Sequence, residues 1–155
     1  MLDDEPMRTM SGQRVAAFGV HVAGVPLLLP DELPCEFIAQ VAIHPLPSAA
    51  PRVLGLTQLR GQPVVVLEPQ AGRRRSGVQI LHLPVLVMGV TSESAALHVL
   101  AAPQPVATTG PVDAPLPDCA FASALRGALA GDGTDPGPWW RFEARALFEC
   151  LARSP

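Results

Sequence analysis

Apolar and polar positions alternate with a period near two in several short runs. Glycine, proline and acidic residues separate the runs, and this pattern predicts a mainly β chain. Residues 14–20 read as a strand in which Val15, Ala17 and Gly19 alternate with Arg14, Ala16 and Phe18. Ala23-Gly24 supplies a turn, and residues 25–29 return as the hairpin partner. A second close pair occupies 53–59 and 64–67, around Arg60-Gly61-Gln62-Pro63. The run 64–67 is apolar throughout, which predicts cover on both faces. Residues 80–90 and 95–100 predict a third hairpin about the polar TSES, and 139–142 a last short strand.

Helical spacing appears in three places. Asp31 stands as a cap before ELPCEFIAQ, where Leu33, Phe37 and Ile38 predict a short helix, with extended structure resuming at 41–44. Residues 121–130 predict another short helix. Residues 143–152 predict a closing one, with Ala146, Leu147, Cys150 and Leu151 on one face. HPLPSAAP is a loop, since its prolines lack amide donors and restrict the residues before them. AAPQPVATTGPVDAPLPDC predicts a long irregular connection.

Composition fits this outline. With 155 residues the chain suits one domain, and 48% hydrophobic against 16% charged residues leaves ample material for a core. Eighteen prolines and thirteen glycines argue against a bundle of long helices. Residues 1–13 read as a flexible polar segment ahead of a single domain at 14–155. That segment has no apolar core of signal-peptide length. The longest apolar stretch, 83–90, contains Pro84 and is too short for a membrane span, so no membrane insertion and a cytoplasmic location are expected. A net charge of -3 excludes the basic surface that nucleic-acid binding requires. The cluster Arg73, Arg74 and Arg75 sits between glycines and reads as a solvated turn. Cys35, Cys119 and Cys150 are widely separated and read as core thiols of a reducing compartment.

Candidate chemistry is sparse. His21, His44, His82 and His98 lack zinc spacing, and only His82 and His98 are placed to face one another, across the hairpin near Val90. No nucleophile elbow, phosphate loop or dinucleotide fingerprint is present, and a chain without lysine has no Schiff base. Cys35 follows Pro34 in apolar surroundings, where a thiol's pKa rises. No enzyme activity, cofactor or metal is expected.

One arginine breaks an oily run. RVLGLTQLRGQPVVVLEP, residues 52–69, holds Arg60 between Leu59 and Gly61, with Glu68 eight positions on. A proline loop, this strand, and a second apolar strand ending in an acid together resemble the CheW-like family of chemotaxis adaptor domains. The family signature runs Val-x-Gly-Leu-x-Asn-Leu-Arg-Gly, then an apolar strand ending in Asp-Leu. Val53, Gly55, Leu56, Leu59, Arg60 and Gly61 match it, with Gln58 for the usual Asn and Glu68 for the usual Asp. AAFGVHVAGVPLLLP is similar to the family's opening hairpin, and Glu36, before Phe37, stands where the family often carries a glutamate. The closing WWRFEARALFECLA is similar to the family's last strand and helix, and to adaptors of type IV pilus (twitching) systems. The second half departs from the pattern: Leu100 or a neighbour stands where a Val-Asp-x-Val step places its aspartate.

The resemblance implies two small five-stranded β-barrels sharing a core, braced by short helices including a C-terminal one. It implies a non-enzymatic adaptor that couples a chemoreceptor's cytoplasmic tip, entering the groove between barrels, to the regulatory domain of a CheA-type histidine kinase. A degenerate relative serving a different partner is the alternative. Gly55, Leu56, Arg60 and Gly61 are the expected partner-binding residues, although a bulge or turn role also accounts for the two glycines. Glu36 and Arg60 are expected to form a partly buried ion pair that fixes the Arg60-Gly61 corner; the other arrangement has Arg60 reaching into water alone.

Overall fold

The computed structural model describes residues 15–47, 49–70, 79–89, 93–132 and 137–155. The segment 1–13 and the cluster Arg73 to Arg75 therefore lie outside the described residues. The chain runs β1 (Val15–Val22), β2 (Val25–Leu28), β3 (Cys35–Ile43), β4 (Val53–Leu59), β5 (Gln62–Leu67), β6 (Leu81–Met88) and β7 (Ala95–His98). It continues through β8 (Gln104–Val112), a 3-10 turn (Ala122–Ala124), β9 (Leu125–Gly131), β10 (Trp139–Phe142) and helix α1 (Ala144–Arg153).

The strands form two five-stranded units with the same pattern of parallel and antiparallel pairing, though the chain visits them in a different order. In the first, β1-β2-β10-β9-β8 close into a barrel. In the second the order is β3-β6-β7-β5-β4. Each contains a tight hairpin (β1-β2, β4-β5) whose second strand pairs in parallel with a later one (β10, β7). The remaining ladders are antiparallel in both.

The units differ at one seam. β1 and β8 are laddered from Val15↔Thr108 to Gly19↔Gln104, whereas among the described residues the β3/β4 side is paired at one bridge, His44↔Leu56. There His44 N–H donates to Leu56 O at 2.8 Å and Leu56 N–H returns a bond at 2.9 Å. Gly55 makes this approach possible. Its φ is +150, and a Cβ built there would stand 2.1 Å from the His44 carbonyl oxygen. The second unit is thus a barrel split along most of the β3/β4 seam.

Two cores explain the continuous apolar runs. Val85 and Val87 of β6 face the interior of the split barrel with Val64, Val66 and Ala96. Leu86 and Met88, their alternates, enter a larger core shared with Leu67, Leu97, Val20, Leu27 and Trp140. Leu147 and Leu151 of α1 seal that common core, and Glu143 caps the helix by accepting from the amides of Arg145 and Ala146. Trp139 packs fully buried over Gly19, where a Cβ would lie 2.5 Å from its ring.

Four expectations are corrected. The helix expected at ELPCEFIAQ is strand β3, paired with β6 from Cys35↔Met88 to Ile43↔Leu81. Its register shifts between Ile38 and Val41, and this bulge breaks the two-residue period into spacing that imitates a helix. The irregular stretch before Cys119 contains β8. It pairs with β1 over 104–108 and with β9 over 108–112, so Pro105 and Pro111 each sit where the strand has a ladder on one side only. The helix expected at 121–130 is one 3-10 turn followed by β9, because pairing on both sides outweighs the helical preference of its alanines. Val65, expected to be covered, is 38% exposed: only the end of β5 lies between the two cores.

Candidate functional site

Arg60 and Gly61 are the two loop residues of the β4-β5 hairpin, with Leu59 facing Gln62. Both have positive φ, +49 and +79, the left-handed pair a two-residue hairpin turn needs to match strand twist. Ala23 and Gly24 do the same between β1 and β2, at +50 and +82. The turn aims the guanidinium back across the split seam. Arg60 Nη2 lies 2.5 Å from Glu36 Oε1, near the start of β3. The side chains are 73% and 46% exposed, so the contact expected to be partly buried is a surface ion pair. It spans the end of the seam opposite to the His44–Leu56 bridge. Solvent screening keeps its worth near 0.2–1 kcal/mol, enough to orient the corner and too little to hold the fold.

Beneath this pair lies a cavity of about 360 Å³, lined by Cys35, Glu36, Leu59, Arg60, Val64 and Val87 among others. Burial pushes the Cys35 thiol up to about 11, so it is a packing group rather than a nucleophile. Of the expected partner-binding residues, Arg60 and Gly61 are exposed and Leu56 is half-buried. Gly55 is buried against His44, at the other end of the seam from Arg60.

The buried arginine of the motif is Arg52, not Arg60. At the foot of β4 its Nη1 donates to the carbonyls of Pro69 at 2.6 Å and Glu68 at 3.3 Å. Its Nε is buried without a hydrogen-bond partner among the described residues. Glu68, 1% exposed, accepts from the Gln70 amide at 3.1 Å and stands 3.0 Å from Nδ1 of His98, which is 5% exposed. Sequence reasoning missed this cluster, yet the signal was present. Pairing Val53 with Leu67 puts Arg52 opposite Glu68, and the Glu68 amide does donate to Arg52 O at 2.8 Å. His82 and His98 do not face one another. His82 pairs with Ala42 and is exposed; His98 pairs with Val85. Among the described residues no group of three candidate ligands is placed to hold a metal.

A broad concavity lies between the two barrels and α1. This groove of about 910 Å³ has an apolar floor that includes Leu33, Val53, Val65, Met88, Phe142 and Phe148. No helix among the described residues is long and apolar enough to cross a membrane.

A split barrel and a closed barrel of like pairing, packed against each other over a shared core, define the CheW-like scaffold fold. The solved structures include a match in the scaffolding protein TtCheW of Thermoanaerobacter tengcongensis, with a TM-score of 0.57 over 86% of each chain at 16% identity. No family model matches the sequence, and no curated protein does. Likeness at this identity establishes the fold.

Proposed function

We propose that this chain is a non-catalytic adaptor that couples a chemoreceptor to a CheA-type histidine kinase. The observation that carries the reading is the two-barrel fold, with an open apolar groove of about 910 Å³ between the barrels. With no catalytic constellation among the described residues, an open groove with an apolar floor suits a protein partner. In this reading the receptor's cytoplasmic tip enters the groove, and the kinase regulatory domain docks on the split barrel beside Arg60 and Gly61. Glu36 holds Arg60 in place for that contact. The likeness of the closing segment to pilus adaptors favours twitching motility as the output, in the cytoplasm.

A second reading, an interaction module for a different partner, rests on Leu100. It is 64% exposed, near the position where the family carries an aspartate. The two readings separate by size-exclusion chromatography of the chain mixed with the receptor tip and kinase regulatory domain from the same genome. The adaptor reading predicts a ternary complex. Elution of this folded chain apart from both partners, at concentrations well above micromolar, favours the second reading.

A further inference from the structure

A smaller cleft, of about 320 Å³, lies where the β1-β2 hairpin meets the ends of β5 and β7. It shares no lining residue with the groove or with the cavity beneath Arg60. β1 opens it by losing a neighbour. The Leu29 amide donates to Phe18 O at 2.9 Å, so Phe18, Val20 and Val22 turn their backbone groups towards β2. Val15, Ala17 and Gly19 turn theirs towards β8, and that ladder ends at Gly19↔Gln104. His21 is next in the series. Its partner in a continued ladder would be Ala102, but β8 begins only at Gln104. The N–H and C=O of His21 therefore leave the sheet edge with no backbone partner among the described residues, and His21 and Ala102 both line the cleft. The His21 ring stands edge-on to the buried Trp139, centroids 5.3 Å apart, which steadies the strand at this point.

His98 and Glu68 line the same cleft, 5% and 1% exposed. His98 Nδ1 donates to Glu68 Oε1 at 3.0 Å, so the neutral ring presents Nε2 as an acceptor. Glu68 is the one formal charge among the lining residues, which disfavours a bare anion, and Val20, Val99 and Leu100 add apolar wall. A residue on the missing strand would meet His21 with its own N–H and C=O. A free α-amino acid carries groups at the same two places, as ammonium and carboxylate, and makes charge-assisted bonds with them. We propose that the cleft binds a free α-amino acid whose side chain carries a hydrogen-bond donor. The carboxylate accepts from His21 N–H, the ammonium donates to His21 C=O within the field of Glu68, and the side chain donates to His98 Nε2. A through-running peptide strand is excluded, because residues 99–102 wall the cleft where such a strand would continue. The volume lies at the small end of ligand pockets, as a single amino acid requires.

Because His98 is buried against Glu68, the test varies the ligand and keeps the protein intact. The full chain is titrated with L-glutamine, and binding is read from the amide signals of His21 and Ala102 and the ring signals of His98. Saturable shifts at all three are expected in the millimolar range or below. L-Norvaline keeps both α-groups but has no side-chain donor, and should bind about 2- to 10-fold more weakly, the worth of one neutral hydrogen bond. N-acetyl-L-glutamine lacks the ammonium and L-glutaminol the carboxylate, and each should bind at least about tenfold more weakly than glutamine. The inference is overturned by no saturation with millimolar glutamine, by shifts confined to groove residues such as Val53 and Val65, or by norvaline or either truncated analogue binding as well as glutamine. The adaptor reading stands or falls separately, on complex formation with receptor and kinase fragments.

Discussion

Two acids in the same part of the fold meet nitrogen partners at short range, and their burial predicts very different worth. Glu68→Ala removes a carboxylate that is 1% exposed. It leaves His98 Nδ1 and the Gln70 amide without their acceptor. Each stranded donor costs about 1–3 kcal/mol, which places the substitution near the ~3–5 kcal/mol typical of breaking a buried pair. A domain stable by about 5–15 kcal/mol loses roughly a fifth or more of its margin. At about 2–4 °C per kcal/mol, Tm should fall by roughly 10 °C. Glu36→Ala removes a carboxylate that is 46% exposed, and its cost should stay near ~0.2–1 kcal/mol. Urea unfolding followed by the fluorescence of the buried Trp139 and Trp140 measures both on one scale. Glu68→Gln, which keeps one acceptor, should fall between. The reasoning is refuted if Glu36→Ala costs as much as Glu68→Ala, or if Glu68→Ala stays within about 1 kcal/mol of the parent.

Other expectations follow from single contacts. Gly55→Ala forces a Cβ against the His44 carbonyl at a left-handed φ, so it should open the seam and strip protection from the His44 and Leu56 amides in hydrogen exchange. Retained protection at both amides contradicts the account of the seam. Gly19→Ala should displace the buried Trp139 ring at a cost of about 1–3 kcal/mol, and an unshifted tryptophan emission with unchanged stability counts against it. Cys35, held near 11 by burial, has a thiolate fraction of only about 0.1% at pH 8. It should react slowly with thiol reagents in the native protein, faster as pH rises towards 11, and at an ordinary rate once unfolded. Rapid native reaction at pH 8 refutes the assignment.

Much of the framework is written in local signals. Ala23-Gly24 and Arg60-Gly61 announce their turns because a two-residue hairpin needs left-handed backbone at both positions. Trp139–Phe142 and the closing helix follow from short-range pattern. The misread segments are those where long-range pairing overrides local preference. The bulge in β3 turns alternation into apparent helical spacing, and β8 tolerates two prolines only because its partners overlap at one residue, Thr108. The site divides in the same way. Glu36 and Arg60 were legible through a motif, while their exposure depends on a seam that local pattern does not reveal. Arg52 and Glu68 were legible through hairpin register, but a buried guanidinium that binds carbonyls leaves no compositional trace.

The adaptor reading is tested most directly by calorimetric titration of this chain with the regulatory domain of the CheA-type kinase from its own genome. Saturable binding in the micromolar range is predicted, weakened by Arg60→Glu without loss of thermal stability. No measurable heat or complex with the folded protein, at concentrations well above that range, contradicts it.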